Sequence, residues 1–378
     1  MDAILCRFAA AVTSAASRLY TITFVKIWDV IIVGGGIIGL SLSIALRKRG
    51  ATVLVIDRGG PGREASHAAG GMLVDCPLET NPALQELASA SAQMYPEFAH
   101  ELEIESGMKI DLRDQGTIVF PSAAHEQALG LPLTADQLAN LEPSLDHGNR
   151  SCFYVKERSV DPRALTAAAL KTAKNRGVDF SSGDTVTAVN LSDGRVSGVT
   201  TTKTSFLAEK VVNCAGAWSS QIGPLPLPTR PVKGQMLCLA LPSREFIRHV
   251  IRTPDVYLIP RSDGRLLVGA TVEEAGFDKR TDATAMQRFH RSALALAPKL
   301  ANARILEDWA GLRPGTADNL PILGATLTPG YFVATGHFRD GILLAPITAH
   351  IMAQLISEEH PLQDLMAFSP QRFSKLGS

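Results

Sequence analysis

Apolar positions along this chain follow two periods, and the switches between them outline the elements. Val30 to Val33 form one β-branched run and "TVLVID" (52–57) forms another. Between them the spacing turns helical from Ile37 to about Arg49, and Gly50 stops the helix. Residues 80–107 set Leu84, Leu87, Ala88, Ala92 and Tyr95 at three- and four-residue intervals, which predicts a second helix. A strand is expected over 116–120, and a short helix over 133–142 that Pro143 ends. Asp161 and Pro162 supply the cap and first turn of a helix running to Gly177. Strands on either side of Ser192-Asp193-Gly194 predict a hairpin. A buried strand then runs into the Gly/Ala turn at Ala215-Gly216. From about Pro231 to Arg304 the pattern is strand-rich, with Asp263-Gly264 as a hairpin turn. Near the end, "GYFVATGHFRDGILLAPITAHIMAQLI" gives a strand, a loop and a buried helix.

The first strand–helix junction carries chemistry. Gly34-Gly35-Gly36-Ile37-Ile38-Gly39 is a G-x-G-x-x-G match in its required strand–turn–helix–strand setting. Gly34 permits the tight turn, Gly36 lets the backbone approach a pyrophosphate at the helix N-terminus, and Gly39 lets the helix lie close on the sheet. Asp57 stands 18 residues past Gly39, where a carboxylate accepts hydrogen bonds from a ribose hydroxyl. A dinucleotide site is therefore expected at Gly34, Gly36, Ile37, Ile38, Gly39, Asp57 and the adjoining Arg58. An incidental glycine-rich turn is the weaker reading, because strand, helix and terminal acid are all in place.

Composition narrows the class. With 378 residues and 46% hydrophobic content, the chain can build a large core in two closely packed domains. Its formal net charge of zero gives no support to a nucleic-acid surface or a polybasic membrane anchor. The five cysteines are odd in number, widely spaced and lack a C-x-x-C pair. They read as reduced thiols of a cytoplasmic protein, with no metal site. In the first 26 residues, Arg7 and Arg18 interrupt an apolar run too short to span a bilayer. That segment reads as a dispensable extension in preference to a cleaved signal. No long apolar run occurs elsewhere, so stable membrane insertion is not expected.

"RGGPGREASHAAGGML" (58–73) is too rich in small residues for a core helix, and lets the backbone pass close to a planar ligand. Here the chain resembles the glycine oxidase and D-amino-acid oxidase family of FAD enzymes, which carries a similar Ser-x-Ala-Ala-Gly-Met-Leu stretch. The resemblance extends over about residues 28–357. It implies non-covalent FAD as cofactor, with contacts from Ala65, Ser66, Gly70, Gly71 and Met72, from Ala215 and Gly216, and a backbone contact at Val186. For Trp218, core packing and ligand contact both stay open. Asp57 stands where the family usually has glutamate.

Two later motifs are more specific than the glycine loop. In "WAGLRPGTADNLPILG" (309–324), Arg313 sits beside Pro314, which keeps the segment out of a regular helix. A guanidinium suits bidentate recognition of a carboxylate, at roughly 1.5–3 kcal/mol per charge-assisted bond. By the resemblance, Arg313 holds the substrate α-carboxylate and Tyr257 assists. Arg339 is a second substrate candidate, and Asp255 replaces a pocket histidine of the family. The loop His337, Phe338, Arg339, Asp340, Gly341, Ile342 and Leu343 is expected to meet the flavin, with free amides at 341–343 forming an anion site. Asp340 stands where the nearest family pattern has asparagine. His337 reads as a packing or flavin-contact residue in preference to a general base.

The expected fold is α/β: a Rossmann-like FAD-binding domain (27–90, 150–230 and 305–360) with an interleaved α+β substrate domain on an antiparallel sheet (91–149 and 231–304). The resemblance implies oxidation of a small amino acid, glycine first, by dioxygen, in the thiazole branch of thiamine biosynthesis. Two alternatives stay open: a sarcosine or D-amino-acid dehydrogenase using another acceptor, and a flavin-binding partner protein without turnover. A paired Arg313 and Tyr257 argues against the second. Oligomeric state, including a homo-oligomer, is left undecided.

Overall fold

The glycine loop sits at the end of a central parallel strand, Ile27–Val33, in the computed structural model. The described residues are 26–373, apart from 77–79, 122–129, 147 and 149. The expected dispensable segment, save Lys26, lies outside them. Ile27–Val33 pairs in parallel with Val53–Asp57 on one side and Ser205–Asn213 on the other. Asp179–Ser182 extends the sheet beyond Val53–Asp57. Tyr331–Thr335 adds in parallel to the far end of Ser205–Asn213. The hairpin Val186–Ser192/Arg195–Thr201 continues the same sheet, turning through Asp193 (φ 52°) and Gly194 (φ 75°), both left-handed as a type I′ turn requires.

Helices Ile37–Lys48, Gln85–Ser106, Pro162–Asn175 and Ala345–Ile356 share one core with this sheet, built on Val30, Ile32, Leu40, Leu165 and Ile351. As expected, Asp161 caps the third of these helices, its carboxylate accepting from the amides of Arg163 and Ala164. The opposite face packs Ile31, Leu54, Val199 and Tyr331. A sheet covered on both faces explains why its central strands are apolar throughout rather than alternating.

The second sheet runs in the order 305–315, 230–240, 265–269, 257–260, 250–252, 117–119, 152–155, 131–133. It is antiparallel except where Val250–Arg252 meets Thr117–Val119. Helix Ala283–Leu296 covers one face through Phe289, Ala293 and Leu296. The sheet thus takes in 152–155 and 305–315, while the whole of helix Gln85–Ser106 belongs to the first core. A small sheet of Met72–Leu73, Arg158–Val160 and Leu112–Arg113 adjoins the two. The fold is mixed α/β. Among the described residues no helix is long and apolar enough to cross a membrane, and no cluster of ligating side chains fits a metal.

Candidate active site

A cavity of about 1040 Å³ runs from the glycine loop to the strand that carries Arg313. The loop end is made of backbone. A Cβ on Gly34 (φ +109°) would lie 2.4 Å from the Cys214 carbonyl oxygen. One on Gly39 would lie 2.1 Å from the Gly34 oxygen, so Gly39 sets helix against strand and does not line the cavity. Asp57 is tied into the turn: Oδ2 accepts from Gly35 N at 2.8 Å and Oδ1 from Gly59 N at 2.8 Å. Ser66 Oγ accepts from Ile37 N at 2.9 Å, capping the helix that Gly36 begins without a side-chain cap of its own. Ile37, Ile38, Arg58, Ala65, Gly70, Gly71, Met72, Val186, Ala215 and Gly216 also line the cavity. So does Trp218, half-buried, with the Arg58 guanidinium 3.6 Å from its ring centre and Phe277 stacked at 5.3 Å.

The far end is made of side chains from the second sheet. Val232 pairs with Arg313 and Gly234 with Gly311. Arg313 Nη1 donates to the carbonyls of Thr271 (3.0 Å) and Lys233 (3.3 Å). A Cβ on Gly234 would fall 2.4 Å from both terminal nitrogens of that guanidinium, so only glycine leaves it this place. Tyr257 Oη donates to Met236 Sδ at 3.3 Å. Burial pushes the Tyr257 hydroxyl up, against the pull of Arg313 and Arg339, so it stays a donor at neutral pH. Burial also pulls Arg313 down, with Tyr257 opposing and Arg339 adding to the shift. The three side chains are therefore mutual electrostatic neighbours.

The loop after Tyr331–Thr335 closes the cavity between these ends. Gly336 (φ +75°) and Phe338 (φ 46°) turn it through left-handed backbone, and Phe338 N donates to the Pro314 carbonyl at 3.0 Å. The loop is thereby fixed to the strand that carries Arg313. Arg339 is exposed and Asp340 half-buried, both on the cavity wall. Burial raises Asp340 to about 6, with Arg339 opposing. His337 is buried, its Nε2 is 3.1 Å from Thr348 Oγ1, and burial lowers it to about 3. It is neutral and lines the cavity wall. The amides of Gly341, Ile342 and Leu343 donate to no described residue, while Tyr95 Oη and Ser91 Oγ hold the carbonyls of Ile342 and Leu343 at 2.6 Å each. Gly341 and Ile342 line the cavity; Leu343 lies behind it.

These features suit FAD. A Cβ-free cradle, a carboxylate at the second strand's end, unpaired amides and room beyond pocket sizes of about 300–1,000 Å³ match a dinucleotide with space for a small molecule. The family model described as "DAO: FAD dependent oxidoreductase" matches residues 29–355. The chain belongs to this family of FAD-dependent oxidoreductases. Glycine oxidase of Pseudomonas putida is 32% identical, over 91% of this chain and 98% of its own length. The bifunctional protein ThiO/ThiG of Synechocystis is 36% identical over 91% of this chain, which spans only 54% of that longer relative. Among solved structures, glycine oxidase from Geobacillus kaustophilus superposes with a TM-score of 0.86 at 31% identity, covering 92% of this chain and 99% of that one. FAD is thus the cofactor of the family, and the fold matches.

Several residues around the cavity were not legible as such in the sequence. Gly234 and Met236 act through contacts with Arg313 and Tyr257, far away in the chain. Tyr95 falls on a helical stripe that reads as plain core, and Ser91 on the same helix carries no signal of its own. For Tyr95 a signal existed, because a buried tyrosine hydroxyl needs a partner.

Proposed function

We propose that this chain is an FAD-dependent oxidase of a small amino acid, with glycine as its first substrate. Glycine, dioxygen and water become glyoxylate, ammonia and hydrogen peroxide. The observation that carries the reading is the meeting of Arg313, Tyr257 and Gly234 at the end of the cavity opposite the glycine loop. A guanidinium seated over a glycine, its Nη1 held by the Thr271 and Lys233 carbonyls and its Nη2 left to a ligand beside a protonated phenol, suits an α-carboxylate.

In this reading Gly34, Gly36, Asp57 and the loop 65–72 hold FAD non-covalently, with Ala215, Gly216 and Val186 beside it. The amides of Gly341 and Ile342 would offer donors to negative charge on the bound cofactor. When bound, FAD supplies the two-electron acceptor for the substrate's α-carbon, and dioxygen then takes up the electrons. The chain's own part is positioning: Arg313 and Tyr257 fix the carboxylate, and the apolar wall of Met236, Met72 and Ile342 keeps water from the reacting carbon. His337 plays no part as a base, since its Nε2 is engaged by Thr348. The second sheet serves as the substrate-binding unit, and Arg339 is a further contact to substrate at the rim. A cytoplasmic role supplying the glycine-derived imine for the thiazole of thiamine is part of the same proposal.

The test uses the purified yellow protein without oxygen, with glycine, sarcosine and D-amino acids added in turn. Glycine should bleach the flavin, and air should restore its colour with release of hydrogen peroxide. Bleaching that air does not reverse would make the protein a dehydrogenase. No bleaching by any amino acid would overturn the substrate class.

A further inference from the structure

Arg261 heads the side chains wholly withdrawn from solvent, with 0% exposure. It follows the strand Tyr257–Pro260 and sits behind the 65–73 loop, outside the cavity lining. Its Nη2 donates to the Gly70 carbonyl. Among the described residues, Nε and Nη1 meet no hydrogen-bond partner. Asp161 and Asp111 favour its charge from nearby, yet their own bonds go elsewhere. Asp161 serves Arg265 and the amides of Arg163 and Ala164, and Asp111 serves Ser262. Burial draws Arg261 down to about 10, which leaves it protonated.

A buried cation with two unsatisfied nitrogens is a poor packing element, and an apolar side chain of similar volume fills such a place at lower cost. Its single bond is therefore informative. The Gly70–Gly71 peptide is trans, so the Gly70 carbonyl and the Gly71 N–H point in opposite directions. The Gly71 amide donates to no described residue. Gly71 itself holds φ +77°, and a Cβ there would lie 2.1 Å from the Val160 carbonyl oxygen. Both glycines line the cavity and the guanidinium stands behind them.

We infer that Arg261 is a positioning residue: it turns the Gly70–Gly71 peptide so that the Gly71 N–H faces the cavity and donates to an acceptor on the flavin ring. A cation on the carbonyl also polarises the peptide and strengthens that donor. The inference rests on FAD binding in this cavity and is independent of which amino acid is oxidised.

The experiment compares full-length holoenzyme with Arg261→Met and Arg261→Lys. Three quantities are read without substrate: the FAD dissociation constant from flavin fluorescence on dilution, the visible absorbance bands and the flavin midpoint potential. Arg261→Met should weaken FAD binding about 10–100-fold, as expected for loss of one aimed, charge-assisted donor. Its flavin bands should shift and its potential become more negative, while its melting temperature without FAD is no lower than wild type. Arg261→Lys should restore part of each change, and carries the test alone if the methionine variant does not fold. A folded variant with wild-type FAD affinity, bands and potential overturns the inference. Altered flavin properties in a protein that ignores glycine would leave the inference standing and overturn only the substrate reading.

Discussion

At one end the cavity wall is backbone, laid bare by Gly34 and Gly36; at the other it is side chain, with Arg313 and Tyr257 reaching in from a different sheet. The two ends tolerate change differently. At Gly34 a Cβ has no room, since the left-handed turn and the close Cys214 carbonyl exclude it, while at Gly36 it would press only on the Ser66 hydroxyl at 3.3 Å. A side-chain surface loses its function by truncation while the fold stands. Cofactor binding and substrate binding should therefore fail separately, and each can be broken alone.

The largest expected effect lies at the side-chain end. Arg313→Ala should keep FAD yet lose kcat/KM by roughly two to four orders of magnitude, on the order of 3–5 kcal/mol of transition-state stabilisation. Arg313→Lys should recover only part, because an ammonium lacks the planar fork. Steady-state kinetics with flavin content as the control decide it. Near wild-type efficiency in Arg313→Ala would move the carboxylate site to Arg339.

Next comes the backbone end. Gly34→Ala adds a methyl 2.4 Å from a carbonyl oxygen at φ +109°. It should cost roughly 2–4 kcal/mol of stability through strain and overpacking. The purified protein should be colourless or nearly so, as read by the ratio of flavin to protein absorbance. Full flavin content would break the contrast between the two ends.

Gly234→Ala sharpens the comparison, because here a glycine serves the side-chain end. The added methyl displaces the Arg313 guanidinium, so kcat/KM for glycine should fall roughly 10–100-fold, about 1.4–2.7 kcal/mol. Flavin content should stay at the wild-type level. Loss of flavin instead would mean that Gly234 supports the fold and not the clamp.

The smallest effect is a slope. His337 has its folded pKa lowered to about 3. The unfolded chain therefore binds the extra proton between about pH 6.5 and 3, and stability falls as pH drops through that window. Asp340, raised to about 6, acts in the other direction, making the folded state less stable as pH rises from about 4 to 6. His337→Asn should flatten the acid-side loss by about one proton in urea midpoints taken at pH 4 and pH 6.5. An unchanged slope would show that His337 protonates freely in the folded protein.

The backbone end was the more legible in sequence, for a physical reason. Its glycines, strand, helix and Asp57 are contiguous in the chain, so spacing alone places them together. Arg313 could be singled out by its Pro-Gly setting and by resemblance, but not the open space above Gly234, which depends on a strand pairing across some eighty residues. Gly39, expected from the motif to let the helix lie close on the sheet, does that and stays off the cavity wall, and Leu343, singled out for its free amide, lies behind the wall. Arg261 precedes a Ser-Asp-Gly hairpin turn, where an arginine ordinarily reads as solvated, and only the tertiary fold buries it.

The strand that carries the glycine loop is made early and completed late. Ile27–Val33 finds Val53–Asp57 soon after synthesis, but its other neighbour ends at Asn213. Tyr331–Thr335 must then pair with that neighbour, and helix Ala345–Ile356 must join the same core. A ribosome building this chain from its N-terminus therefore leaves the sheet incomplete until Tyr331–Thr335 and Ala345–Ile356 have emerged. The core behind the glycine loop is thus closed by segments some three hundred residues further along the chain, so a break in either would open the loop's support from a distance.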